Sequence, residues 1–125
     1  MVAEQRKYTR FSAPDNAYAA LGPSFTIVGK IKGISMGGLA LEYLTDGVSE
    51  LENFEVDVFL RGEEFHISKI PCKLIYDIPL DTPEANQIFP NGLMHKRCGV
   101  QFEKLTKICR QQLEQFITTH TTGQA

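Results

Sequence analysis

No stretch of this 125-residue chain approaches the roughly 18 consecutive apolar residues that a membrane-spanning helix needs. The opening Met-Val-Ala-Glu-Gln-Arg-Lys lacks the apolar core of a secretory leader, so a cytoplasmic protein is expected. Cysteine is scarce. Cys72, Cys98 and Cys109 are odd in number and have no CxxC spacing, which argues against a disulfide framework or a zinc site and for thiols in a reducing compartment. An excess of positive charge is also missing: 13 Lys and Arg against 15 Asp and Glu leave a net charge of -2. That balance provides no global field for DNA, RNA or an anionic membrane, so any anion site has to be local. The three histidines, His66, His95 and His120, are scattered. His95 and Cys98 stand three apart in a strand-like segment and would point to opposite faces, so no metal site is expected. Ser35 lies next to glycines, but a nucleophile elbow needs a strand-to-helix turn with His and Asp in support, and here the turn leads into another strand. No catalytic residue and no cofactor are therefore expected.

What the sequence does contain is alternation. Phe25, Ile27, Gly29 and Ile31 share one face, with Thr26, Val28, Lys30 and Lys32 on the other, which is the pattern of a half-buried strand. The two lysines read as a solvated face. The run Gly33-Ile34-Ser35-Met36-Gly37-Gly38 follows, where glycines are expected to supply positive φ in a tight turn. Leu39, Leu41 and Tyr43 then return as a second strand. Phe54, Val56, Val58 and Leu60 form a third, and a turn at 61–64 leads into a long strand over 65–76. Its alternation slips around 68–71, which predicts a bulge, with Pro71 at an edge or bulged position. Residues 77–91, with Pro79, Pro83 and Pro90, read as a surface loop. Strand character resumes over 93–103, with Cys98, Val100 and Phe102 inward. Leu105, Ile108, Cys109, Leu113, Phe116 and Ile117 then recur at helical spacing behind a possible N-cap, Thr106. The residues between Pro14 and Pro23 read as irregular or as a short strand. The fold expected is all-β with one C-terminal helix, a small antiparallel barrel whose mouth the helix covers.

Near the start stands Gln5-Arg6-Lys7-Tyr8-Thr9-Arg10-Phe11. Arg6 and Arg10 point the same way in either helix or strand and could act as a two-pronged clamp. Guanidinium forks suit phosphate oxygens and the O6/N7 edge of guanine. Two arginines near a terminus are more usually solvated charges. Backbone N–H groups of a glycine turn can also form an anion-binding concavity, to which Ser35 would add a donor, and Gly37 and Gly38 allow close approach.

The arginine pair spaced R-x-x-x-R, then Gly33-Ile34-Ser35-Met36-Gly37-Gly38-Leu39, then Cys98-Gly99-Val100-Gln101-Phe102 before the helix, together resemble the PilZ domains. These are bacterial receptors for the second messenger cyclic di-GMP. The resemblance implies a six-stranded antiparallel split β-barrel. Residues 1–24 would be its arginine-pair segment, residues 25–119 the barrel plus helix of the same domain, and residues 120–125 a flexible tail. It implies that Arg6 and Arg10 grip the phosphates and guanine edges, with Ser35 and the backbone of Gly37 and Gly38 as the floor. One position departs: the family's Asp or Asn falls on Gly33, which has no side chain. The function implied is a cyclic di-GMP receptor that changes conformation on binding and signals to a protein partner in motility, pilus or exopolysaccharide control. The alternative is a degenerate member that has lost the nucleotide and serves as a protein–protein interaction module. The expected partners are cyclic di-GMP and one protein, with neither DNA nor RNA, no membrane insertion, and a monomer or homodimer.

Overall fold

The computed structural model describes residues 9–22, 27–45, 53–80, 94–121 and 123. Arg6, Phe25 and the segment 81–93 lie outside the described residues. Each alternating run of the sequence is a strand, and the strands close on themselves. β1 (Phe11–Ser12), β2 (Ala17–Gly22), β3 (Ile27–Ile34), β4 (Gly38–Thr45), β5 (Asn53–Leu60), β6 (His66–Pro79) and β7 (Met94–Phe102) precede α1 (Lys107–His120). The order β3-β2-β5-β6-β7-β4 returns to β3 through the β3–β4 pairing, so these six strands form a closed antiparallel barrel, with β1 added along β3. Closure leaves no long unpaired edge in the barrel, the solution small all-β folds need.

The inward residues meet in one core. Ile31, Leu41, Val56, Val58, Ile67 and Ile70 are each at most 1% exposed, while their strand neighbours Val28, Lys32 and Glu55 face solvent. The helix covers this core with Leu113 and Phe116, both fully buried. The Phe116 ring lies 5.4 Å from that of Phe65, the residue just before β6. Thr106 is the N-cap: its hydroxyl accepts the Cys109 N–H at 3.1 Å.

Several sequence expectations are corrected. The barrel begins at Ala17 and not at residue 25, because β2 pairs with both β3 and β5. Its Ala17, Ala19, Ala20 and Gly22 are too small to show an apolar alternation, and alanine and glycine are poor strand formers. β6 continues to Pro79 and pairs with β7 as far as Lys96, so residues 77–79 are strand and not loop. Ile108 follows the helical spacing yet is 69% exposed. It stands about 140° round the helix from Leu113 and about 80° from Phe116, to one side of the buried line. The helix also runs through His120, and beyond it the Gly123 carbonyl accepts the Ser12 N–H at 2.8 Å, tying the C-terminal end to β1.

The bulge expected in β6 is present. Val56 pairs with Ile70 and Val58 with Ile67, so Ser68 and Lys69 together oppose Asp57. Lys69 adopts φ 57, and its N–H donates to the Asp57 carboxylate at 3.0 Å. Pro71 lies two residues beyond, inside the barrel wall and beside the bulge.

Candidate functional site

The 35–38 turn between β3 and β4 is held by its own serine. Ser35, 7% exposed, donates its N–H to the Gly38 carbonyl at 2.8 Å. Its hydroxyl oxygen accepts the N–H groups of Gly37 at 3.0 Å and Gly38 at 3.2 Å. The Phe102 N–H donates to the Gly37 carbonyl at 2.9 Å, fixing the turn against the end of β7. The positive φ expected of these glycines is absent. Among the described residues, left-handed glycine backbone occurs at Gly62 and Gly123. Gly38 is needed instead for close approach, since a Cβ there would overlap the Val100 carbonyl oxygen of β7. Gly33 is not so constrained: a Cβ there would meet its first neighbour, the Phe11 carbonyl oxygen, at an ordinary 3.7 Å.

The pairing of β1 with the end of β3 positions Arg10. Phe11 pairs with Ile34 and Ser12 with Gly33, so the next residue outward, Arg10, arrives beside Ser35. β2 continues along the same side of β3 after the turn at Asp15 and Asn16. The chain thus lies along β3 beside the glycine turn at β1, leaves the barrel wall over residues 13–16, and rejoins it at β2.

Arg10, Gly33, Ser35, Gly37 and Gly38 line one cleft of about 950 Å³ on the outer face of the barrel. That volume lies within the roughly 300–1,000 Å³ range of small-molecule sites. The cleft runs over the outward side of β4 and β7, past Ala40 and Gly99, to the β7–α1 connection. Among the described residues, five cations line it, namely Arg10, Lys32, Arg97, Lys104 and Arg110, and no carboxylate residue does. A chain of net charge -2 therefore presents a locally positive groove. The ring of Tyr76 lies against the bare backbone of Gly99, where a Cβ would overlap it, and is 36% exposed in the same cleft. The Arg97 Nε is buried without a hydrogen-bond partner, and its nearest described carboxylate, Glu42, stands 3.9 Å from Nη1.

Of the residues singled out in the sequence, the structure thus brings together Arg10, Gly33, Ser35, Gly37 and Gly38, while Arg6 lies outside the described residues. Lys32 is exposed as expected and also borders the cleft, whereas Lys30 lies 3.3 Å from Asp15. Sequence reasoning missed Tyr76, Arg97, Lys104 and Arg110. The signal that could have found Arg97 is alternation, since it neighbours core-facing Cys98 on β7. Tyr76 was hidden, because alternation from Cys72 and Leu74 points it inward and the register shift between Leu74 and Tyr76 turns it out. The thiols stand apart from this groove's chemistry. Burial pushes Cys72 up to about 12, aided by Cys98, and burial pushes Cys98 up to about 12, aided by Asp77.

At the level of sequence, no family model and no curated protein matches the chain. Solved structures do match. The PilZ domain with c-di-GMP of YcgR from Escherichia coli superposes with a TM-score of 0.67 at 18% identity, over 94% of this chain and 92% of that one. This chain has the PilZ-domain fold. Two further PilZ-fold neighbours agree. The K. pneumonia MrkH–c-di-GMP complex gives a TM-score of 0.63 at 18% identity, over 94% of this chain and 52% of that one. The Bacillus subtilis inhibitor of motility MotI/DgrA gives 0.59 at 19% identity, over 92% and 50%. The chain spans about half the length of these two proteins and nearly all of the isolated YcgR PilZ domain. Among the described residues, no helix is long and apolar enough to cross a membrane.

Proposed function

We propose that this PilZ-fold chain is a receptor domain for cyclic di-GMP, bound in the groove between β1, the 35–38 turn and β7. The observation that carries the reading is the delivery of Arg10 by β1 to the serine-locked glycine turn, in a groove whose described lining holds five cations and no carboxylate residue. Cyclic di-GMP carries two phosphodiester charges and two guanine faces. Arg10, with Arg6, would grip phosphate oxygens or guanine O6 and N7 as a bidentate donor. Ser35, Gly33, Gly37 and Gly38 would form the floor. Tyr76 offers a ring face for a base, and Arg97 a guanidinium at the other end of the groove. Arg97 stands four residues before Gln101, the partner of Gly38, and four strand residues span about 13 Å. The fold neighbours YcgR and MrkH are described as c-di-GMP complexes, which supports the ligand class. The reading assigns no catalytic residue and needs no cofactor.

Signalling would run through β1. This strand is two residues long, and its Ser12 N–H is bonded to the Gly123 carbonyl beyond α1. Drawing Arg10 onto a ligand would shift β1 and the chain following the helix together, changing the surface offered to a protein partner. One observation favours the alternative of a nucleotide-free interaction module: Gly33 provides no side chain where the resembled family has Asp or Asn. Losing a hydrogen bond to a charged group costs about 1.5–3 kcal/mol, weakening but not abolishing a site built from several contacts.

Titrating cyclic di-GMP into 15N-labelled protein distinguishes the two. The receptor reading expects the amide resonances of Gly33, Ser35, Gly37, Gly38 and Gly99 to move together and saturate. Unmoved resonances at these positions would leave the interaction module as the standing account.

A further inference from the structure

We propose that Lys104 and Arg110 form a second, cationic jaw of the groove, contacting a phosphate group from the helix side of the 35–38 turn, opposite Arg10. The inference rests on the receptor reading for the identity of the ligand, but on its own observations for the jaw. Phe102, hydrogen-bonded to Gly37, is the last residue of β7, and Lys104 follows two residues later. Arg110 lies in the opening turns of α1, its N–H bonded to the Thr106 carbonyl. Both line the groove and are exposed, and neither pairs with a described carboxylate. The turn is therefore flanked by cations from two separate elements: Arg10 through β3 and β1 on one side, Lys104 and Arg110 through β7 and α1 on the other.

The backbone at Lys104 sharpens the point. Its φ of 46 lies in the left-handed region, where glycine sits without strain and a lysine does not. Glycine would take this backbone with less strain. The lysine side chain instead projects a charge into a groove already rich in positive charge, an arrangement that opposes itself until an anion arrives. An anion held between two jaws would also engage α1 directly, giving the ligand a second route to the helix besides β1.

This geometry makes Lys104→Gly an informative variant, because a structural role and a binding role predict opposite outcomes. Cyclic di-GMP is titrated calorimetrically into the unaltered protein, Lys104→Gly, Arg110→Gln and the double variant, each also melted thermally. The jaw predicts that Lys104→Gly melts at the same or a higher temperature and yet binds roughly threefold to tenfold more weakly, the loss of one charge-assisted contact. The double variant should bind more weakly still, and the deficits should shrink with added salt. Wild-type affinity in both single variants and in the double variant would overturn the jaw. Should the unaltered protein not bind cyclic di-GMP, the receptor reading falls and inorganic pyrophosphate becomes the probe. Stabilisation of the unaltered protein by pyrophosphate, lost in the double variant, would uphold the jaw. Equal stabilisation of both, or none of either, would overturn it.

Discussion

Gly33 is a groove position where a side chain would fit without disturbing the barrel. Its backbone is not left-handed, and a Cβ there meets the Phe11 carbonyl oxygen at 3.7 Å. Gly33→Asn or Gly33→Asp should therefore leave the chemical denaturation midpoint nearly unchanged. On the receptor reading it should strengthen cyclic di-GMP binding about fivefold or more, the effect of one added hydrogen bond of roughly 1 kcal/mol or above. Gly38 is the reverse case. A Cβ there overlaps the Val100 carbonyl oxygen, so Gly38→Ala must force β4 away from β7, at a cost of about 1–3 kcal/mol in urea denaturation. The cysteines give a further test at this scale. With Cys72 and Cys98 pushed up to about 12 and buried, and Cys109 half-buried, iodoacetamide at pH 8 should label Cys109 first. Cys72 and Cys98 should react on unfolding. A thiol whose folded pKa is raised contributes stability fully present below the unfolded thiol value of about 8.5. That contribution falls as pH rises toward about 12, so the denaturation midpoint should drop above pH 9.

Among the elements, α1 carries its stability in two side chains. Phe116→Ala should cost about 3–5 kcal/mol, the usual penalty for emptying a fully buried aromatic position. Ile108→Ser, at a position 69% exposed, should change stability by no more than about 0.5 kcal/mol. The helical spacing places Ile108 and Phe116 in one apolar set, and only packing against Phe65 and the barrel separates them. The same contrast runs through the strands. β3, β4 and β5 were legible because large apolar residues alternate with polar ones. β2 was not, because its core-facing Ala17 and Ala19 carry almost no apolar signal. The end of β6 was hidden by Pro79 and by a second register shift between Leu74 and Tyr76, which puts Ile75 out of phase. In the site, the 35–38 turn could be read from its own residues, and alternation on β7 turns Arg97 outward beside core-facing Cys98. Lys104 and Arg110 could not be read, since what brings them to the groove is the path from β7 into α1.

The whole molecule joins these scales through the closure of its barrel. Because β4 pairs with both β3 and β7, the turn that begins β4 is fixed against β7 while β1 lies along the other side of β3. An N-terminal arginine, a glycine turn and a helix entrance thereby border one groove, although they are separated by about a hundred residues of chain. A net charge of -2 leaves the rest of the surface without a matching positive field, so anion binding should be confined to that groove. The most direct test is calorimetric titration of cyclic di-GMP into the full chain, with Arg10→Ala alongside and the thermal melts of both recorded. The account predicts saturable binding near micromolar affinity, about 8 kcal/mol, that weakens at least tenfold in Arg10→Ala while the melting temperature is unchanged. Absence of binding by the unaltered protein, or equal binding by both proteins, would contradict it.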